Sequence, residues 1–132
     1  MTEATSSHEH DTDHTHAVSF GKGVQDSLRK PAVDLRRAIP QVYDGYRQLH
    51  GAAFAEGAVT KKHKELIALA IAVRAQCDGC IASHARGAAK QGATEDEVAE
   101  TLGVCISMMG GPGTVYAPRA FAAFREFSQA SQ

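Results

Sequence analysis

Apolar side chains enter this chain late. Residues 1–16 carry no aliphatic side chain beyond Met1 and Ala4, so nothing there can pack on a core, and a disordered tail over residues 1–22 is expected ahead of a helical domain over 23–132. From Val24 onward apolar positions recur at three- and four-residue intervals, the period of an amphipathic helix. Pro31 and Pro40 interrupt this pattern where a proline can occupy the first turn of a new helix, which predicts short helices on either side. After Pro40 the positions Val42, Tyr43, Tyr46, Leu49, Ala53 and Phe54 form one stripe, expected to pack inward; Gly57 closes the segment.

Thr60 is placed to cap a helix over about Lys61–Gln76, in which Leu66 to Val73 is apolar almost without a break. So continuous a run calls for burial on most sides, and in a chain with little interior part of that cover is expected from another subunit. Asp78 and Gly79 predict a break, with a new helix from Cys80 to Gln91 stopped by Gly92. Thr94-Glu95-Asp96-Glu97 is a capping box that starts a helix running to Met109. Gly110 to Gly113 lacks the Lys and Ser or Thr of a phosphate loop and reads as a turn before a last helix over Thr114–Ser128, where Pro118 is tolerable near the start. No segment alternates with period two between turn signals, so an all-α fold is expected.

Composition adds exclusions. With 132 residues, 43% hydrophobic and 22% charged, the chain has the profile of a single globular domain. A formal net charge of -1 offers no positive field for nucleic acid. No apolar run reaches the roughly 18 residues of a membrane span, and the polar N-terminus lacks a secretory pattern, so no membrane partner and a cytoplasmic location are expected. His8, His10, His14 and His16, mixed with acids, can hold a metal loosely; a non-enzymatic metal-binding protein, helped by His50 or His63, is the alternative from a different class.

Three cysteines are too few for a secreted disulfide scaffold, but two of them form Cys77-Asp78-Gly79-Cys80. The two-residue spacer allows a disulfide, with Gly79 easing the bend. In the first turn of a helix Cys80 has its thiolate favoured by free backbone N–H groups and the helix dipole, which makes it the better nucleophile. His84 lies four residues on, on the same helical face, as a base or imidazolium partner. A closed zinc site would need a fourth ligand, and Cys105, in an apolar stretch, reads as a core residue.

The run Glu65 to Val73, then Cys77-Asp78-Gly79-Cys80-Ile81-Ala82-Ser83-His84, then Gly92-Ala93-Thr94 before an acidic helix start, resembles the AhpD-like alkylhydroperoxidases of the carboxymuconolactone decarboxylase superfamily. The resemblance covers about residues 60–117. It implies an all-helical domain built around a helix hairpin, assembled into a homotrimer or homohexamer, and a thiol-dependent hydroperoxidase acting on organic hydroperoxides or hydrogen peroxide without a cofactor or metal. By the same resemblance Cys80 is peroxidatic, Cys77 resolves it as a disulfide, Glu65 and His84 form a proton relay, and a lipoyl group or thioredoxin-like protein restores the dithiol. Some members carry a His just before the second cysteine, where this chain has Gly79, which implies a shorter relay. Glu65 and Cys77 lie twelve residues apart, about 18 Å along one helix, so only crossing helices or a neighbouring subunit can bring Glu65 in. A general disulfide oxidoreductase is the nearest alternative, because a reactive dithiol also serves that chemistry.

Overall fold

A computed structural model describes residues 17–130; the histidine-rich stretch over 1–16 lies outside them. The described chain is all-helical: α1 (Lys22–Ala38), α2 (Pro40–Ala53), α3 (Lys61–Ala75), α4 (Asp78–Lys90), α5 (Glu95–Met109) and α6 (Gly111–Gln129), with no strand among the described residues. Two helix hairpins make the core. In the first, α3 and α4 fold back on each other across the short link Gln76-Cys77; in the second, α5 and α6 do so across Gly110. Helix α4 packs on α6 and joins the pairs.

The core is built from small and large apolar residues in alternation. Ala85, Ala88, Ala120 and Ala123 are fully buried, and they let the helices approach closely enough for Leu69, Val73, Ile81, Val98 and Phe124 to interlock. Gly113 continues this logic, because a Cβ there would stand 2.8 Å from the Ile106 Cα of α5.

Several local signals resolve differently from the sequence expectation. Pro31 does not start a helix; it lies inside α1, which runs through it. An exposed helix tolerates this because the carbonyl left without a donor meets water. Pro40, in contrast, occupies the first turn of α2 as expected. The helix after the break begins two residues earlier than predicted: Cys77 is the N-cap and Asp78 and Gly79 are already helical. Gln76 makes the turn instead, in the left-handed region at φ 55°, with its N–H on the Val73 carbonyl and the next N–H on Ala72. Likewise Gly110 alone reverses the chain, at φ 69°, and Gly111-Pro112-Gly113 form the first turn of α6.

The stripe on α2 is the largest departure. No residue of α2 is buried, and Val42, Tyr46 and Leu49 are 64%, 64% and 68% exposed. Only Tyr43, His50 and Phe54 are half-covered, the last two by the α4 site.

Candidate active site

The site is assembled where α2 and α3 meet the start of α4. Thr60 fixes the register of α3: its hydroxyl accepts the His63 N–H at 3.2 Å. Glu65 then faces α4 one turn into the helix. At the other end of the hairpin the Cys77 sulfur caps α4, accepting the Cys80 N–H at 3.2 Å, so Cys80 sits in the first turn. The two sulfurs are joined as a disulfide with a Cα–Cα separation of 5.2 Å. Cys80 is exposed and Cys77 half-buried, so an incoming molecule reaches the Cys80 sulfur first.

His84 follows Cys80 by one turn of α4, and its Nδ1 lies 2.9 Å from Glu65 Oε2. Crossing of α3 and α4 in the hairpin thus brings Glu65 against His84. Both side chains are largely withdrawn from water, at 17% and 16% exposure, which strengthens their interaction. Where the Glu65 carboxylate accepts this hydrogen bond, Nδ1 is the donor, and that tautomer leaves Nε2 as the accepting nitrogen of the ring.

A residue that the sequence reading passed over makes this pair possible. Gly87 lies three residues beyond His84 on α4, and a Cβ built there would overlap the Glu65 carboxyl carbon and both its oxygens. The absent side chain is the space the carboxylate occupies. Two rings complete the site. Phe54 stacks on His84 with centroids 5.6 Å apart and planes 7° apart, and His50 stacks on Phe54 at 4.1 Å. The pattern of α2 places His50 and Phe54 one turn apart on one face, the signal by which they can be grouped; their position over His84 follows only from tertiary packing.

Two cavities open onto Cys80 and His84. One, of about 500 Å³, is walled mainly by apolar groups, including Phe54, Val59, Ile67 and Ile71. The other, of about 580 Å³, has Arg36, Tyr43 and Arg47 in its wall. Tyr46 and His50 border both. Cys105 takes no part in either: it is buried, its sulfur lies 3.9 Å from the Ala70 carbonyl, and burial pushes its thiol up from the ordinary range. Among the described residues no three His, Cys, Asp or Glu side chains gather as a metal would require; His63 turns to the Thr60 hydroxyl and His50 to the rings.

Comparison with known proteins agrees with this architecture. The solved structure of apo-lpg0406, a carboxymuconolactone decarboxylase family protein from Legionella pneumophila, superposes with a TM-score of 0.77 and 42% identity, covering 80% of this chain and 95% of that one. An uncharacterized protein of Cupriavidus necator is 39% identical over 90 residues, which are 68% of this chain and 80% of that protein. Uncharacterized protein 4 in the cox locus of Paracoccus denitrificans is 36% identical over 94 residues, 71% of this chain and 85% of that protein. The carboxymuconolactone decarboxylase family model matches residues 40–126, from the first turn of α2 to the last turn of α6. With its helical hairpins, its Cys pair at the head of α4 and this match over most of its length, the chain belongs to the carboxymuconolactone decarboxylase family, the superfamily of the AhpD-like proteins.

Proposed function

We propose that this protein is a thiol-dependent hydroperoxidase that reduces hydroperoxides to alcohols or water through its Cys77–Cys80 pair. One observation supports this above the others: an exposed Cys80 in the first turn of α4 shares its cavities with His84, whose other ring nitrogen is engaged by Glu65 at 2.9 Å. In the reduced protein His84 Nε2 takes the Cys80 thiol proton, and Glu65 steadies the imidazolium that results. The thiolate attacks the peroxide; an S–O bond forms, the O–O bond breaks, and the departing oxygen takes the proton from His84. Cys80 is left as a sulfenic acid. The Cys77 thiol displaces its hydroxyl as water, giving the disulfide in which the pair stands here. Two electrons and two protons from a dithiol, a lipoyl group or a thioredoxin-like protein, return it to the start. A reducing compartment, the cytoplasm, suits that cycle.

Assembly into a homotrimer or homohexamer belongs to the same reading. It is supported by Val104 at 64% exposure and Met108 at 81%, apolar side chains that the outer face of α5 leaves to water.

The test is chemical trapping. Reduced Cys77→Ser treated with one equivalent of cumene hydroperoxide is expected to accumulate a dimedone adduct at Cys80, and the native protein a disulfide with no adduct. An unmodified Cys80 in the variant, with the hydroperoxide intact, contradicts peroxidase chemistry and leaves disulfide exchange as the thiol reaction.

A further inference from the structure

Resting on the hydroperoxidase reading, we infer that the substrate is a chain hydroperoxide bearing a carboxylate, with its peroxide group at an internal carbon. The two cavities at Cys80 carry this inference. They differ in chemistry and meet at the same four residues, Tyr46, His50, Cys80 and His84, so a ligand filling both has its middle over the nucleophile. Each is of a size usual for small-molecule sites.

The wall of the first is apolar. Lys64 also lines it, with its ammonium donating to the Ala55 carbonyl at 2.5 Å, and Phe54, Val59, Ile67 and Ile71 are there to cover a hydrocarbon tail. The second holds Arg36 and Arg47 with no acidic side chain in its wall. Arg36 is engaged by the face of Tyr43, 5.5 Å from the ring centroid, and Arg47 lies 3.4 Å from Asp44 beside the cavity. Both guanidinium groups keep further N–H donors for an anion, and a carboxylate matches their fork. Hydrogen peroxide uses neither end, and a compact aryl hydroperoxide, which has no carboxylate, does not use both. A fatty-acid hydroperoxide oxidised in mid-chain uses both: its carboxylate pairs with Arg36 and Arg47, its O–O bond is cleaved at Cys80, and its tail lies against Ile67 and Ile71. The product is the corresponding hydroxy acid, the peroxide having taken two electrons from the dithiol.

The experiment follows thiol loss in the reduced full-length protein by stopped flow. Its probes are 13-hydroperoxyoctadecadienoic acid below its aggregation concentration, the methyl ester of that acid, and cumene hydroperoxide. The acid is expected to react roughly tenfold faster than its ester, and Arg36→Gln/Arg47→Gln to bring that ratio to about one, as should added salt in part. Equal rates for acid and ester beside rapid reaction with cumene hydroperoxide overturn the inference and leave the hydroperoxidase standing. A tenfold ratio that survives the double substitution overturns the assignment to Arg36 and Arg47. Reaction of all three probes no faster than a free thiol removes the hydroperoxidase itself.

Discussion

At Gly87 the absent side chain leaves the space in which the Glu65 carboxyl stands beside His84. Replacing a mid-helix glycine by alanine ordinarily stabilises a helix by about 0.5–1 kcal/mol. Here the added methyl meets only the movable end of the Glu65 side chain, so Gly87→Ala is expected to displace that carboxyl from His84 while keeping part of the helix gain. Chemical denaturation gives the sign, and thiol loss toward hydroperoxide should slow in the same variant. His84→Gln keeps the shape of the side chain and removes the base; thiol loss at neutral pH should slow by about two orders of magnitude while the fold persists. If His84→Gln unfolds instead, the residue is structural. At this scale the sequence is partly transparent. The i, i+4 spacing of Cys80 and His84 is a property of one helix and could be read directly. Glu65 depended on the crossing of two helices, and Gly87 has meaning only once Glu65 is placed against it.

Among the elements, α1 shows how a helix with no buried residue is held. Gly21 at its N-cap has no side chain to accept the free N–H groups. Glu126 of α6 takes that place, accepting from the N–H groups of Phe20, Gly21 and Lys22 and from the Ser19 hydroxyl, the last at 2.7 Å. Burial pushes the Glu126 carboxyl up, but the Ser19 hydroxyl and the three backbone donors outweigh it and hold the group below the ordinary carboxylate range. Because the folded value lies below the unfolded one, this stabilisation is complete above the ordinary carboxylate value and is lost as pH falls through the lowered one. Glu126→Gln should therefore destabilise by about 1 kcal/mol at pH 7, with the difference in Tm from the native protein shrinking under acid conditions. A constant difference across pH would contradict the capping role. No sequence pattern links residues 19–22 to residue 126, since the contact spans more than a hundred positions. Pro31 escapes the sequence pattern for a local reason: a proline inside a water-facing helix leaves no mark distinguishing it from one that begins a helix. Its cost is real, and Pro31→Ala should raise stability by about 1–3 kcal/mol in a urea titration. The capping box at Thr94 and Glu97, by contrast, formed as written in the sequence, because both partners lie in one turn; Glu97 also reaches Lys62 at 2.8 Å and so ties α5 to α3.

In the whole molecule the distribution of apolar side chains separates what is core from what is left facing outward. The α3–α6 hairpins bury Leu69, Val73, Val98 and Phe124, whereas α2 and the outer faces of α3 and α5 do not bury theirs. Periodicity identified the stripes of both kinds, but it cannot tell a stripe that meets the same chain from one that does not. The three thiols divide in the same way. After reduction, Cys77 and Cys80 should alkylate readily, while Cys105, buried and held in its thiol form, should react only on unfolding, which mass spectrometry after brief iodoacetamide exposure will show. The central claim is that the Cys80, His84 and Glu65 arrangement turns over peroxide. Its most direct measurement is the second-order rate of hydroperoxide consumption by the fully reduced protein, set beside Cys80→Ser and Cys77→Ser. The account predicts fast consumption by the native protein, a single turnover by Cys77→Ser and none above background by Cys80→Ser; consumption by Cys80→Ser equal to the native rate would contradict it.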